Sequence, residues 1–433
     1  MREPETPQRR RRWPIIVGAL VALLFIMAFF FFKDEALGEH GDLAVAERPE
    51  IENGEASFAA WLVAARKVDK GPFEEAVRSS GGLFFEKLAG TKPWDAAPIE
   101  HIVTANREAF ELAFDADSLG PFALPAVHSV HASFPYFSQL QNLSKMLRVY
   151  SAERFVAADF ETAEKAALAN LRLGDSLVDQ PNTLLAFLVG IACQAIGYAT
   201  VERLIADGTP DEVLLNLDAL LRAELDPCAA LERALRIEFA LSSDAVKQIG
   251  KFGSGALGGG LKGGEPPTFL LKQNRTINDA AKIYRVLIAN CQRPPTTRVE
   301  PPVAKSPKGL DFLSSNAYGK WLNVHLNGLA NLQSNADHAL AYRRSLRAKI
   351  ALLRHHRAEG ALPAALADLV PDYLDAVPTD PHDGAPLRYD AARGAVWVVG
   401  RDLTDAGGAT ATHGNGFSGK QPDPTLFVFP HAP

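Results

Sequence analysis

The stretch WPIIVGALVALLFIMAFFFF, from Trp13 to Phe32, decides how this chain is organised. No charged residue interrupts it, and four arginines at positions 9–12 stand directly before it. A helix of about 18 residues after Pro14 is roughly 27 Å long, which is close to the hydrocarbon thickness of a bilayer. The stretch therefore predicts one membrane-spanning helix over residues 13–32.

The charges beside this helix predict its orientation. Cytoplasmic flanks carry the excess of Lys and Arg, so residues 1–12 are expected to form a basic cytoplasmic tail. Everything after Lys33 then lies on the far side, which in a bacterium is the periplasm. The sequence thus predicts a single-pass protein of the bacterial inner membrane, with a cytoplasmic N-terminus and most of its mass in the periplasm.

Two other interpretations of the stretch fit less well. A cleaved signal peptide needs an apolar core of about 7–15 residues with a small-residue cleavage site soon after it. Here the nearest such site, AVA at residues 44–46, lies far beyond Phe32. A buried core helix would not place four Arg at one end and four consecutive Phe at the other, which is an arrangement typical of a membrane boundary.

A second apolar stretch, residues 184–205, is not expected to cross the membrane. Gln194, Glu202 and Arg203 would lie in lipid there, at a cost of a few kcal/mol each. The sequence therefore contains one predicted span.

The charge balance narrows the class of partner. The chain carries a net charge of −6, and its first twelve residues, with five Arg and two Glu, carry +3. The remaining chain therefore carries −9. This mildly acidic exterior argues against nucleic acid, because phosphate binding needs clustered Lys and Arg. It also argues against a second, electrostatic contact with the membrane.

Three cysteines would lie in an oxidising compartment, where one pair could form a disulfide and leave one thiol over. Cys228 and Cys291 are the better pair, because Cys193 lies within an apolar helical stretch of Leu, Ile and Ala. The alternative, that all three are small buried apolar residues, stays open.

Beyond the membrane helix, composition divides the chain into a linker, a helical domain and a C-terminal module. Residues 33–55 are polar and contain several Gly, which predicts a juxtamembrane linker. Residues 56–358 are rich in strong helix formers and predict a periplasmic array of antiparallel helices. Residues 250–267 and 293–308 predict two flexible loops within it. A two-helix repeat of the tetratricopeptide kind is an alternative, although its spacing pattern does not occur twice.

Cap residues mark several predicted helix ends. Asn182 is the candidate N-cap of a helix that reaches about residue 206. The dipeptide Asp226-Pro227 combines a cap with Pro at the first helical position and opens a helix to about residue 248. Residues 136–178 predict one long helical run with a bend near residues 151–159.

Residues 359–433 predict a small α+β module, so the fold class is mainly α with one small sheet. The turn at residues 379–384 has Asp as a cap, Pro to fix φ and Gly to accept a positive φ. Residues 387–390 and 395–399 predict a β-hairpin, and residues 426–429 predict a third short strand.

The order of pieces in this module is distinctive. The residues concerned are Leu362-Pro363, Leu366, Leu369, Tyr373-Leu374, Val377-Pro378-x-Asp380-Pro381, Gly384, Pro386, Leu387, Tyr389, Val398-x-Gly400-x-Asp402 and Gly407-Gly408. In this order they resemble the C-terminal region of the major pseudopilins of type II secretion. In that family a long helix leads from the membrane into a small sheet, and a loop after the hairpin binds calcium.

The resemblance implies calcium ligands at Asp402 and Asp405, with Asp423 as a third. Two departures limit it. Pseudopilins carry a Glu a few residues into their apolar helix, and residues 13–32 contain none. A long helical region, residues 56–358, also separates the span from the module. The whole chain thus resembles bacterial single-pass membrane proteins that carry this tail on a helical ectodomain.

Motifs for catalysis are lacking in the sequence, which contains no HExxH, no Walker A loop and no GxSxG. His128 and His131 are three residues apart, but prolines bracket them and no acidic or Cys partner is near. Glu232, Glu238 and Asp244 fall at near-helical spacing, and we interpret them as a solvated helix face.

By elimination, the sequence predicts a membrane-anchored periplasmic scaffold or binding protein. Its expected partners are the membrane, through residues 13–32, and envelope proteins. No catalytic or cofactor-binding residue is predicted other than the calcium ligands. Two alternatives stay open. One is a component of a pseudopilin-related secretion or pilus assembly, and the other is an envelope enzyme whose site forms only in three dimensions between the helices and the tail.

Overall fold

A computed structural model describes residues 20–28, 31, 33–47, 50–127, 129, 131–253, 268–303, 305–308, 316–408 and 423–429. Most of the predicted flexible loop at residues 250–267 lies outside this part of the chain, as does half of the predicted membrane span. Within the described residues the molecule is mainly helical with one small antiparallel sheet, which confirms the predicted class.

Short connections join the helices from Gly54 to Ser118 and from Pro135 to Phe252, and longer ones lie at residues 119–134, 253–272 and 292–316. In chain order the helices are α1 Gly54–Arg66, α2 Gly71–Ser80, α3 Leu83–Ala89, α4 Ala96–Ala105, α5 Arg107–Ser118, α6 Pro135–Val156, α7 Phe160–Asp179, α8 Leu184–Leu204, α9 Asp211–Arg222, α10 Pro227–Phe252, α11 Gln273–Cys291, α12 Ala317–Asn323 and α13 Leu332–Glu359. Short 3-10 segments lie at Gly41–Leu43, Thr268–Leu270, Pro295–Thr297, Val324–Asn331 and Leu366–Leu369.

Three strands form the sheet in the order β1-β2-β3, and each pair is antiparallel. They are β1 Arg388–Asp390, β2 Ala395–Trp397 and β3 Thr425–Phe427. Apolar side chains of β2 and β3 pack against the long helix α13, which leads directly into this region. The sheet and the helical layer therefore share one apolar core.

Local sequence explains several of the helix boundaries. The Asp226 carboxylate accepts from the backbone N–H groups of Cys228 and Ala229, so it caps α10 as predicted. The cap of α8 is Thr183 and not Asn182, since the Thr183 hydroxyl accepts from the Ala186 N–H at 3.0 Å. The run predicted over residues 136–178 is divided into two helices at Ala158, which has a φ of +59°.

Helix α8 lies at the centre of the helical layer. It is the one helix in the described part of the chain that is long and apolar enough to cross a membrane, and 56% of the residues in its apolar window are buried. Its closest neighbour is α7, where Gly174 faces α8 and Gly190 and Gly197 of α8 face α7. A Cβ on Gly174 would lie 2.6 Å from the backbone nitrogen of Gln194, so these glycines permit a close approach of the two backbones.

Polar contacts fix α8 and α7 to the neighbouring helices α9 and α13. Gln194 donates to the Asp175 carboxylate at 2.8 Å, and the same carboxylate pairs with Arg343 at 3.1 Å. The Arg343 guanidinium is 2% exposed and also donates to three carbonyls at the C-terminal end of α9. Those carbonyls have no partner within their own helix, so Arg343 satisfies the end of α9 and the Asp175 charge together.

The chain that follows the predicted span runs along α11. The Asp34 carboxylate accepts from the N–H groups of Asn274 and Arg275 in the first turn of α11. Further along, Asp42 pairs with Arg285. Residues 34–42 therefore lie beside α11 from its N-terminus towards its middle.

Candidate functional site

A cavity of about 200 Å³ lies between α10, α11 and the 3-10 segment Val324–Asn331. Its walls are mostly apolar. The side chains that line it are Glu238, Ser242, Ser243, Ala245, Val246, Ile249, Ile277, Ala280, Tyr284, Leu322, Asn323, His325 and Leu326. An apolar cavity of about 150 Å³ is enough to hold a benzene molecule, so this one has room for a small ring compound.

Six of the thirteen lining residues carry polar groups, and two of their hydroxyls are distinctive. The hydroxyls of Tyr284 and Ser243 are buried and make no hydrogen bond of good geometry with the described residues. The Ser242 hydroxyl, close to Tyr284, donates to the Phe239 carbonyl at 3.1 Å. A buried polar group without a partner costs free energy, about 1–3 kcal/mol. These two hydroxyls are therefore available to a ligand.

Burial disfavours the charged forms of two acidic groups in the cavity. Desolvation raises the pKa of the Glu238 carboxyl, and a hydrogen bond from the Leu184 backbone partly opposes it. Desolvation also raises the pKa of the Tyr284 phenol, and the nearby Glu238 carboxyl raises it further. The neutral forms of both groups are thus favoured, which suits binding of an uncharged molecule.

A second cavity, about 300 Å³, is polar and lies between the helical layer and the C-terminal sheet region. Its lining comes from the Pro-rich connector, from α13 and from the turn that precedes β1. The residues are Asn290, Pro295, Arg298, Val299, Glu300, Pro301, Asn331, Gln333, Ser334, Asp337, His382, Arg401 and Leu403.

His382 is the distinctive group in this polar cavity. Its ring is 2% exposed, and its Nδ1 lies 3.0 Å from a carboxylate oxygen of fully buried Asp380. Its Nε2 is buried and has no hydrogen-bond partner among the described residues. Asp380 also accepts from Arg388 at 2.6 Å and from the Val399 N–H at 2.8 Å. The carboxylate therefore orients the imidazole, but most of its charge is already balanced by Arg388.

The residues predicted to bind calcium lie on the loop that follows β2. Asp402 accepts from the Thr404 N–H at 3.2 Å. Asp405 accepts from the Trp397 indole and the Gly407 N–H, and these hydrogen bonds lower the pKa of its carboxyl. Asp423 accepts from two N–H groups of the same loop, while its second oxygen is buried and has no hydrogen-bond partner among the described residues.

Calcium takes six or more oxygen ligands. No cluster of three or more His, Cys, Asp or Glu side chains that could hold an ion occurs in the described part of the chain. Residues 409–422, between the two halves of this loop, lie outside it. Calcium binding at Asp402 and Asp405 stays a prediction, and we derive no function from it.

The cysteines and the other candidate residues have different surroundings from one another. Cys193 and Cys291 are buried, Cys228 is partly buried, and all three are free thiols. Burial raises the pKa of the Cys291 thiol, and the nearby Cys228 raises it further. His131 hydrogen-bonds to Gln248 at 3.0 Å, and His128 lies outside the described residues.

Of the three acidic residues interpreted as a solvated face, Glu238 differs from the other two. Glu232 pairs with Arg236 at the surface and Asp244 is exposed, whereas Glu238 lines the apolar cavity. Spacing along one helix could not separate them, because burial depends on which neighbour covers each face. The Tyr284 and His382 sites gave no sequence signal beyond their residue types.

Comparison with protein-family models, with characterised proteins and with solved structures gives no match for this chain. The resemblance of its last residues to pseudopilins therefore stays a proposal.

Proposed function

We propose that this chain is a single-pass inner-membrane protein whose periplasmic helical domain binds a small, largely apolar molecule. The observation that carries the proposal is the cavity between α10 and α11. It has mostly apolar walls, a carboxyl group with a raised pKa and two buried hydroxyls that make no hydrogen bond of good geometry with the described residues. Specific ligand sites are commonly built in this way, from an apolar lining with a few placed polar groups.

The anchor rests on the sequence of residues 13–32, and the described part of that stretch supports it. Residues 20–28 are helical, and the side chains of Leu24 and Phe25 are 63% and 73% exposed. A helix whose large apolar side chains have no cover from the protein is suited to lipid. The periplasmic side and the envelope partners follow from the basic residues before it.

The test of the cavity uses p-cresol, a ring with one hydroxyl, and toluene, which has the same shape without it. The full chain in detergent should bind both in ligand-observed NMR, and it should bind p-cresol more tightly. Ala280→Leu narrows the cavity and should abolish both signals. Tyr284→Phe should lower the affinity for p-cresol by about 3- to 10-fold, the contribution of one hydrogen bond, and leave the affinity for toluene unchanged.

The matched control is Tyr150→Phe, since Tyr150 stacks on Phe110 with ring centroids 4.3 Å apart in another part of the helical layer. It should bind both compounds as the unaltered chain does. Equal affinity of the Tyr284→Phe and unaltered chains for p-cresol would remove the role we give this hydroxyl. Binding that survives Ala280→Leu would place the ligand elsewhere.

The polar cavity favours a second candidate function, that of an envelope enzyme. An imidazole oriented by a buried carboxylate, with its other nitrogen unpartnered, is the arrangement of a general base. The reaction class that fits is hydrolysis of a small polar substrate. A panel of ester, amide and phosphoester substrates should then show turnover that His382→Gln removes. Turnover unaffected by His382→Gln, or none with the unaltered chain, would exclude this candidate for those substrate classes.

A further inference from the structure

Two exposed aromatic side chains lie at one end of the α10–α11 pair. Phe252, the last residue of α10, is 67% exposed, and Phe269, in the 3-10 segment Thr268–Leu270, is 68% exposed. The C-terminus of α10 and the N-terminus of α11 are adjacent. A Cβ on Gly250, in the last turn of α10, would lie 1.8 Å from the side-chain nitrogen of Gln273, the first residue of α11. Exposed apolar side chains that are grouped, and not scattered singly, mark a surface that meets another apolar phase.

The N-terminal apolar segment leaves the domain at this same end. Asp34 accepts from N–H groups in the first turn of α11, at 2.8 Å from Asn274 and 3.2 Å from Arg275. Lys33 and the apolar residues come directly before Asp34 in the chain. Phe269 is five residues from Asn274. The N-terminal apolar segment and the Phe269 ring therefore leave the domain from the same small region of its surface.

Lysines accompany the aromatic rings. Lys247 and Lys251 are exposed on the last turns of α10, and the Lys251 ammonium lies 5.0 Å from the centre of the Phe252 ring. Aromatic rings with long basic side chains beside them are typical of a membrane interface, where the ring enters the headgroup layer and the ammonium stays in water. The acidic charge of the whole chain does not prevent this contact, because interfacial charge acts locally.

We propose that this end of the helical domain docks on the bilayer, with Phe252 and Phe269 in the headgroup layer beside the exit of the N-terminal segment. The inference rests on the anchor in our proposed function and adds a fixed orientation. The domain then contacts the bilayer with the surface formed by the C-terminus of α10 and the N-terminus of α11. The apolar cavity, lined by Ile249 and Ile277, lies within a few helical turns of the lipid.

Spin labels on the full chain in nanodiscs test the docking. Phe252→Cys and Phe269→Cys, in a background whose three native cysteines are replaced by Ala, should each show label collision with oxygen favoured over collision with a water-soluble nickel chelate. The expected depth is about 5–10 Å below the surface. Leu83→Cys on α3, 52% exposed in the parent chain, is the matched control and should report water.

A second measurement keeps the native cysteines. Phe252→Trp should gain fluorescence that brominated lipids quench, whereas Leu83→Trp should not. The docking would be overturned, and the anchor left intact, if a chain that floats with lipid gave the same collision pattern for labels at positions 252 and 269 as for the label at position 83. A chain that fails to float would overturn both. Loss of cresol binding alone would affect only the proposed ligand site.

Discussion

Two helical stretches of this chain have similar apolar composition and opposite surroundings. Helix α8 is covered by its neighbours, with glycines against α7 and polar side chains paired to α7 and α13. Residues 20–28 expose large side chains without such cover. The difference teaches that hydropathy identifies a segment that avoids water, whereas small residues and polar partners decide whether protein or lipid replaces the water.

The largest effect should come from a charge placed in the N-terminal segment. Leu24→Arg puts a guanidinium near the middle of the predicted span, at about 2.5–3.5 kcal/mol on an insertion scale. We expect the full chain to lose membrane retention in alkaline extraction and flotation. Leu185→Arg, at an exposed position of α8, is the control and should stay with the membrane fraction. The comparison fails if both variants leave the membrane to the same extent.

The next effect concerns the polar links of α8. Arg343→Leu leaves Asp175 without its cation and three carbonyls of α9 without a donor, so we expect a loss of about 3–5 kcal/mol in the free energy of unfolding. The adjacent Arg344→Leu removes a partly exposed pair with Glu224 and two hydrogen bonds to Thr379, and it should cost less, about 1–2 kcal/mol. Urea titrations followed by circular dichroism measure both. Similar midpoints for the two variants would contradict the central role of Arg343.

A smaller effect is expected where α7 and α8 approach most closely. Gly174→Val forces the backbones apart, which should destabilise the chain by about 1–3 kcal/mol. The same urea assay should show a change within about 0.5 kcal/mol for Gly41→Ala, where an added Cβ would have no neighbour within 4 Å. If Gly174→Val is as mild as Gly41→Ala, the two helices have more room between them than we describe.

The smallest effect is a change in how steeply the free energy of unfolding depends on pH. The raised pKa of Glu238 means that the folded state holds a proton that the unfolded state releases. The contribution of Glu238 to the free energy of unfolding is therefore present at low pH. It is lost as the pH rises from the carboxyl pKa in the unfolded state through the higher pKa in the folded state. Glu238→Gln should flatten this decline in urea midpoints above about pH 4.5, the ordinary pKa of a Glu carboxyl. Glu100→Gln, at an exposed site on α4, should keep the slope of the unaltered chain.

Much of the fold was predictable from local patterns. Helix formers, caps such as Asp226 and the Gly-containing turns predicted the helical class and the small antiparallel sheet. The cap of α8 was not predicted, and the bend predicted near residues 151–159 is a full break at Ala158. Each outcome depends on competition between adjacent residues that differ little in propensity. Glu238 was misjudged for a related reason, since a helix face is exposed or buried only with respect to its neighbours.

The candidate sites needed the tertiary structure altogether. Tyr284 meets Glu238 only because α11 packs on α10, and His382 meets its cavity only because the C-terminal region folds back on the helical layer. These contacts join residues far apart in sequence, and no spacing rule connects them.

The sequence by itself determined that this chain contains a segment suited to lipid, a mainly helical body and a small sheet, because those properties follow from composition and short-range periodicity. Only the tertiary structure decided which helices cover residues 184–204, which acid is desolvated and where space is left for a ligand. The physical reason is that burial and cavities are properties of packed surfaces, and packing joins distant residues.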